Sequence, residues 1–259
     1  MTTTERTDPP TRPSLLDPPA ERLAPTSRLS LGLASQIALL ARMLCREGYD
    51  DHIMGHISYA LDDGSFYCTP WGYTWEEMLP AHILRIDAEG TVVEGDEEAP
   101  SALPLHVALH RSRADARVII HNHPTYGTLW ADRRQVPPIF DQTSALYGGE
   151  IVVYDEYPGS ASDASAADRI VEGVSGADVA LLANHGVLVI AHDIEQAYLR
   201  AMALEWRCRQ AWWLGSTGVP MDPAAARAIG DILEERNFPG LFDAMVRREQ
   251  RADPTLVLS

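Results

Sequence analysis

Apolar residues recur with the period of a helix where the patterned part of the chain begins. Leu33, Ile37, Leu40 and Leu44 follow the spacing i, i+4, i+7 and i+11, and Gly48 comes shortly after them. Residues at this spacing lie on one face of a helix. The pattern therefore predicts an amphipathic helix that packs one face against a core and ends before Gly48.

Strand and helix patterns alternate through the rest of the chain. Alternating or β-branched runs predict strands at HISYAL (56–61), SFYCT (65–69), ILRID (83–87), TVV (91–93), ARVIIHNH (116–123), EIVVYDE (150–156), DVALLANHG (178–186) and VLVIA (187–191). Helical patterns cover 104–113, 124–132, 162–174 and 193–215, and two further helical segments follow. Interleaved strands and helices predict an α/β domain with a central sheet covered by helices.

The N-terminal segment differs from the rest in composition. Residues 1–28 are rich in proline, threonine and charge and have no hydrophobic period. We expect a disordered or loosely docked arm here. No composition shift marks a boundary after it, so residues 29–259 are expected to form a single domain.

Charge and composition exclude several classes of function. The formal net charge of −16 argues against nucleic-acid binding, which needs clustered lysine and arginine. No apolar stretch reaches 18 residues and no secretory signal is evident, so we expect no membrane partner. The three cysteines have no disulfide or zinc spacing, which favours the cytoplasm as the compartment.

Three histidines carry the strongest chemical signal. His121 and His123 are two residues apart in a predicted strand and so project from the same face. His185 lies near the end of another buried strand. If the two strand ends share one edge of the sheet, the three imidazoles form a metal site with open positions, as catalytic metals require. Spacing alone leaves ordinary surface or core histidines as an equal alternative.

Several motifs resemble those of a known family, and this resemblance favours the metal site over ordinary histidines. The segments GHIS (55–58), TPWG (69–72), APS (99–101) with LH (105–106), RVIIHNHP (117–124) and LLANHG (181–186) follow the order of the class II aldolase/adducin family. The resemblance implies a class II aldolase/adducin-like three-layer α/β fold, with a central, mostly antiparallel sheet flanked by helices on both sides. It also implies a homo-oligomer, commonly a C4 tetramer.

The same resemblance assigns roles to the histidines. His121, His123 and His185 match the family's three metal ligands, which implies one divalent metal ion per subunit. Zinc is the first expectation, while manganese, cobalt, nickel and iron also suit three imidazoles. The adducin branch has lost these ligands, so their presence favours an enzyme over a non-catalytic module.

The sequence departs from the family's sugar-phosphate aldolases at three positions. His56 replaces the Asn, and Trp71 a Ser, of the motifs that cradle phosphate, which argues against a phosphorylated substrate. Ala102 stands where those aldolases carry the catalytic Glu. Retro-aldol cleavage needs a base for the hydroxyl proton, whereas decarboxylation starts from an ionised carboxylate and needs mainly charge stabilisation.

These departures favour a metal-dependent lyase that decarboxylates a non-phosphorylated aromatic, keto or hydroxy acid. In this interpretation the metal stabilises an enolate-like charge as CO2 leaves. The chain here resembles the dihydroxyphthalate and pyridine dicarboxylate decarboxylases of the family.

The predicted catalytic residues are His56, Asp141 and Tyr126. His56 is a candidate to bind the departing carboxylate or donate a proton, and a turn histidine is the structural alternative. Asp141 is a candidate substitute acid, and a helix N-cap is its alternative. Tyr126 offers a wall suited to a flat substrate, with core packing as its alternative.

The predicted substrate-binding residues are Ser58, Trp71, Ser101 and His106. Trp71 would flank a flat substrate, with core packing as its alternative, and Ser101 would hydrogen-bond to the substrate or cap the following helix. His106 opens that helix beside the site, and a purely structural role is its alternative.

Two other hypotheses for the enzyme's activity remain open. A mononuclear non-heme iron oxygenase acting on an aryl-pyruvate-type acid is one, because DQTSALYGG (141–149) is similar to a segment of an oxygenase branch of the family. A retro-aldolase with a substituted acid/base is the other enzyme reading. Absence of stoichiometric metal would instead favour an adducin-like binding module.

Overall fold

Eight strands form one sheet in the computed structural model, which describes residues 31–157, 162–174, 176–235, 238, 240–254 and 256. Within these residues the strands are β1 (His56–Ala60), β2 (Phe66–Cys68), β3 (Leu84–Ile86), β4 (Val92–Glu94), β5 (Val118–Asn122), β6 (Ile151–Tyr154), β7 (Val179–Leu182) and β8 (Gly186–Ala191).

The described residues also form seven α-helices. They are α1 (Leu33–Cys45), α2 (Leu103–Ser112), α3 (Thr125–Asp132), α4 (Ala164–Gly173), α5 (Ile194–Leu214), α6 (Pro223–Glu235) and α7 (Leu241–Ala252). The side chain of Asp163 caps α4 and that of Asp193 caps α5 by accepting backbone N–H groups of the first turn.

The sheet order is β4-β3-β2-β1-β5-β8-β7-β6. Every neighbouring pair is antiparallel except β6 and β7, which are parallel. All residues of β5 and β8 are buried, as expected for central strands with helices on both faces. These two strands and β1 place the candidate site.

Two hydrophobic clusters lie on opposite faces of the sheet. Alternate residues of β5 and β8 belong to different clusters, because successive side chains of a strand point to opposite faces. Val118 and Ile120 pack with α1 and α5, whereas Ile119 packs with α2 and α4. His121, two residues beyond Ile119, therefore projects from the α2 side of the sheet.

The predicted fold class is confirmed, including the mostly antiparallel sheet and helices on both faces. Most predicted elements differ from the observed ones by one or two residues at the ends. The largest shortening is in 178–186, where the strand ends at Leu182 and a turn leads into β8. The predicted arm over 1–28 lies outside the described residues, and a single domain over 29–259 stays a prediction.

None of the helices within the described ranges combines the length and apolar character needed to cross a membrane.

Candidate metal centre

His121 is the central residue of the candidate site. It lies on β5, opposite His56 of β1 and Leu188 of β8, and it is almost fully buried. Its Nδ1 lies 2.9 Å from the carbonyl oxygen of Val187. A carbonyl only accepts hydrogen bonds, so Nδ1 carries the proton and Nε2 keeps a free lone pair.

His123 follows the end of β5 and is oriented by a carboxylate. Its Nδ1 lies 2.8 Å from Oδ2 of Asp51, which comes from the segment before β1. Its Nε2 is buried and has no hydrogen-bond partner in the described structure. Leaving a buried polar atom without a partner costs free energy, and a bound ion is one arrangement that would supply the partner.

His185 comes from the turn between β7 and β8. Asn184 adopts the left-handed conformation there, with φ of +56°, which asparagine tolerates better than most residues. The His185 Nε2 lies 3.2 Å from the His121 Nε2. Gly186 permits this close packing, because a Cβ at that position would lie 2.5 Å from both the Asn122 carbonyl oxygen and His123 Cδ2.

The three predicted ligands therefore meet at one edge of the sheet, with their ligand atoms all within 4.8 Å of one another. Two nitrogens bound to one metal at about 2.1 Å in tetrahedral geometry would lie about 3.4 Å apart, close to the observed His121–His185 spacing. The side chains thus fit a divalent ion. Since the group contains three imidazoles, further coordination positions would stay open to substrate.

Burial keeps His121 and His185 in the neutral form that binds metals. Burial, followed by the nearby His185, His56 and His123, lowers the pKa of His121 well below its ordinary value. Burial and then His123 lower the pKa of His185 to about 4. Both rings are accordingly neutral at pH 7, with lone pairs available.

His56, Ser58 and His106 lie together beside this centre. The His56 ring is 5.0 Å from the His121 ring, centroid to centroid. The His56 Nδ1 lies 3.0 Å from His106 Nε2, and the Ser58 hydroxyl lies 2.6 Å from His106 Nδ1. Ser58 and His106 are fully buried, so their polar atoms are engaged with the protein.

Tyr126 and Asp141 make their side-chain hydrogen bonds away from the three histidines. The Tyr126 hydroxyl accepts from Trp213 Nε1. Asp141 accepts from the backbone and hydroxyl of Ser144 and from Trp206 Nε1. The two tryptophans belong to α5, and the Asp141 contacts with Ser144 are local bonds to a residue three positions later in a turn. Their predicted catalytic roles stay predictions.

Trp71 and Ser101 lie in connections outside the strands. Trp71 follows β2, and its backbone N–H donates to the Glu98 carbonyl. Ser101 is exposed in the turn before α2. Ala102 is the N-cap residue that precedes α2 and makes no side-chain cap, and its methyl side chain cannot transfer a proton.

The structure adds three residues that sequence reasoning missed. Asp51 orients His123 from 72 positions away in the chain. His110 contacts Ser58, and its i, i+4 spacing from His106 was a usable signal. Tyr157 lies edge-on to His185 with centroids 6.1 Å apart, and nothing in its sequence context marks it.

Comparison with known proteins identifies a family and several relatives. The family model described as "Class II Aldolase and Adducin N-terminal domain" matches residues 35–212. The chain is 26% identical over 225 residues to "Decarboxylase NovR" of Streptomyces niveus, covering 82% of this chain and 83% of that protein.

A second relative has a different printed activity. The chain is 27% identical over 204 residues to "4-hydroxy-3-prenylphenylpyruvate oxygenase/4-hydroxy-3-prenylbenzoate synthase" of Streptomyces roseochromogenus subsp. oscitans, covering 76% of this chain and 73% of that protein. In fold, the present chain is similar to L-fuculose 1-phosphate aldolase from Glaciozyma antarctica PI12, with a TM-score of 0.75 and 20% identity. The match covers 88% of this chain and 92% of the aldolase chain.

Proposed function

Because this chain belongs to the class II aldolase and adducin family, we propose that it is a divalent-metal-dependent carbon–carbon lyase that decarboxylates a non-phosphorylated carboxylic acid. The observation that carries the proposal is the group of three imidazoles whose ligand atoms lie together, with the buried, unpartnered Nε2 of His123. An adducin-like binding module would have no use for such a group.

The bound ion would supply a Lewis acid that stabilises negative charge on an oxygen next to the reacting carbon. The chain's own residues orient the ligands: the Val187 carbonyl holds His121, and Asp51 holds His123. Zinc is the ion we expect, since imidazole ligands and a tetrahedral spacing suit it.

Decarboxylation is favoured over aldol cleavage by the residue at the start of α2. Ala102 stands where the family's sugar-phosphate aldolases carry a carboxylate. Aldol cleavage must remove a hydroxyl proton, whereas the carboxylate lost in decarboxylation is already ionised. The bulky His56 and Trp71 likewise argue against a phosphate cradle. A relative named as a decarboxylase supports the same assignment.

An iron-dependent oxygenase is the second candidate function. The relative named as an oxygenase is as similar to this chain as the one named as a decarboxylase. The usual iron site of such enzymes has two histidines and one carboxylate, whereas the ligand group found among the described residues has three histidines.

The test is metal analysis of protein purified without chelator and under exclusion of air. We expect about one zinc, manganese or cobalt ion per subunit, lost in His123→Ala and retained in the surface control His192→Ala. Anaerobic release of CO2 from a panel of aromatic and hydroxy acids should then follow. Iron together with O2 uptake would favour the oxygenase, and metal-free wild-type protein would contradict both enzyme proposals.

We also propose a cytoplasmic homotetramer, as the family resemblance implies. The end of α5 exposes Trp212, Trp213 and Leu214, an apolar patch of the kind found at protein interfaces. Light scattering should give about 114 kDa, four times the 28.5 kDa of one chain. A monomer would contradict the assembly.

A further inference from the structure

A continuous row of hydrogen-bonded side chains leads away from the candidate metal centre. His56 Nδ1 is 3.0 Å from His106 Nε2, and His106 Nδ1 is 2.6 Å from the Ser58 hydroxyl. The same hydroxyl is 2.7 Å from His110 Nε2, and His110 Nδ1 is 2.8 Å from the Ala116 carbonyl. We refer to these four side chains and the terminal carbonyl as the histidine–serine row.

Two regular elements create the row. His56 and Ser58 are two residues apart on β1 and therefore share a face of the sheet. His106 and His110 are four residues apart on α2 and therefore share a face of the helix. Since α2 packs on that side of the sheet, the two pairs interdigitate.

The proton positions in the neutral row follow from its last member. The Ala116 carbonyl only accepts, so His110 carries its proton on Nδ1 and presents a lone pair on Nε2. The Ser58 hydroxyl must donate to that lone pair, and its oxygen then accepts from His106 Nδ1–H. His106 Nε2 is left as an acceptor.

The last step of this order determines which ring nitrogen of His56 carries the proton. Because His106 Nε2 is an acceptor, His56 must donate to it from Nδ1. A neutral imidazole has one ring proton, so the Nε2 of His56 keeps its lone pair. Any other order would place two lone pairs, or two protons, against each other at one of these short distances.

The environment keeps the row neutral. His56 and His106 are almost completely buried, and His110 is partly buried. Burial lowers the pKa of His106 well below its ordinary value, with smaller effects of His56 and His110. Burial also lowers the pKa of His110 to about 4, although the hydrogen bond to Ala116 acts in the opposite sense. The single-proton order therefore holds at neutral pH.

We propose that His106, Ser58 and His110 are positioning residues that hold His56 in its Nδ1–H form, so that His56 Nε2 faces the metal centre as a hydrogen-bond acceptor and selects acids that carry a hydroxyl group. This inference rests on the proposed function for the identity of the site. It assigns Ser58 and His106 to the support of His56 in place of direct contact with substrate.

The substrate class follows from the acceptor. A hydroxyl beside the carboxylate donates to the His56 lone pair, whereas a keto oxygen or an ether oxygen offers only a second lone pair. A site that presents an acceptor for a substrate hydroxyl discriminates against molecules that lack the matching donor. Among the aromatic, keto and hydroxy acids considered above, the row therefore selects the hydroxy acids.

The direct test is side-chain NMR of protein labelled with 15N-histidine, which distinguishes the two nitrogens of each ring without measuring activity. For wild-type protein at neutral pH we expect His56 protonated on Nδ1 and bare on Nε2. Ser58→Ala removes one oxygen and breaks the row, so His56 should populate both tautomers. Ser58→Thr, which keeps the hydroxyl, should restore the wild-type spectrum.

Ser112→Ala is the matched control, since Ser112 lies on α2 and its hydroxyl donates only to the Leu109 carbonyl. It should leave the His56 signals unchanged, and thermal unfolding should show that each variant is folded. A wild-type His56 protonated on Nε2 would overturn the proposal. So would a Ser58→Ala spectrum identical to that of wild type.

Binding of a probe pair tests the selectivity. Zinc-loaded protein should bind 2-hydroxybenzoate about tenfold more tightly than 2-methoxybenzoate, which corresponds to about 1.4 kcal/mol. Ser58→Ala should reduce this ratio, and Ser112→Ala should not. Equal binding of the two probes, or binding of neither, would overturn the substrate assignment. Failure to bind zinc would contradict the proposed function while leaving the NMR result intact.

Discussion

Replacing Asp51 by asparagine should weaken metal binding without removing a ligand. Asp51 Oδ2 lies 2.8 Å from His123 Nδ1, a distance typical of a charge-assisted hydrogen bond. Although burial alone raises the pKa of Asp51, hydrogen bonds from His52 and His123 lower it below the ordinary value. The carboxylate is therefore ionised at neutral pH and makes the His123 ring a better electron donor.

The expected size follows from the exposure of the pair. Loss of a carboxylate that supports a ligating histidine costs about 10- to 100-fold in metal affinity. The side chains of His123 and Asp51 are 22% and 32% exposed, so water screens part of the interaction. We expect the loss of metal affinity in Asp51→Asn to lie at the lower end of this range, at about tenfold or 1.4 kcal/mol, because the amide oxygen still accepts from His123 Nδ1. Asp51→Ala should lose more.

Competition with a chromophoric zinc chelator measures both variants, and Asp50→Asn is the control. Asp50 is the neighbouring exposed acid, and its change should leave zinc affinity within about twofold of wild type. Zinc affinity equal to wild type in Asp51→Ala, alongside loss in His123→Ala, would refute the supporting role of the carboxylate.

Three further changes have distinct expected outcomes. Burial, followed by other histidines, lowers the pKa of His56 to about 3, and burial lowers that of His110 to about 4. Each histidine therefore binds a proton more readily in the unfolded chain. As the pH falls below about 6.5, the free energy of unfolding should drop by about 1.4 kcal/mol per pH unit for each histidine. Equal urea midpoints at pH 7 and pH 5 would contradict this. Glu205→Ala leaves two backbone N–H groups of α3 without their acceptor and should cost about 2 kcal/mol or more in urea unfolding; no loss would argue against that role. Gly186→Ala forces a Cβ against His123, and both zinc affinity and unfolding free energy should drop, the latter by about 1–3 kcal/mol; unchanged zinc affinity would show that the ring moves freely.

Much of the fold was predictable because the relevant signals are local. β5 and β8 are runs of buried β-branched residues, and α5 has its N-cap Asp193 and its terminal Gly215 in sequence. The turn at 183–185 was harder to predict. Its left-handed Asn184 donates its N–H to Asp132 Oδ1, a contact between residues 52 positions apart.

The residues of the candidate site also fall into those that local patterns revealed and those that only tertiary contacts revealed. His121 and His123 were recognisable from their i, i+2 spacing, and His185 from its strand end. Asp51 was not recognisable, since an aspartate in a loop before a strand is an ordinary turn residue until the fold brings it to His123. For Ser58 and His106 the sequence indicated proximity to the site, but only the packing of α2 on β1 revealed that they bond to each other.

One orientation rule connects the rings whose partners are known. His121 uses Nδ1 for the Val187 carbonyl, His123 uses it for Asp51, and His56 uses it for His106. In each case the protein engages Nδ1, which leaves Nε2 of His121 and His123 for the centre and, in our proposal, Nε2 of His56 for substrate. The acceptors come from a neighbouring strand, a loop and a helix, so no local sequence pattern encodes the rule. The chemistry of the site therefore depends on tertiary packing as much as on the histidines themselves, and a change in any of the three acceptors should alter it without touching a metal ligand.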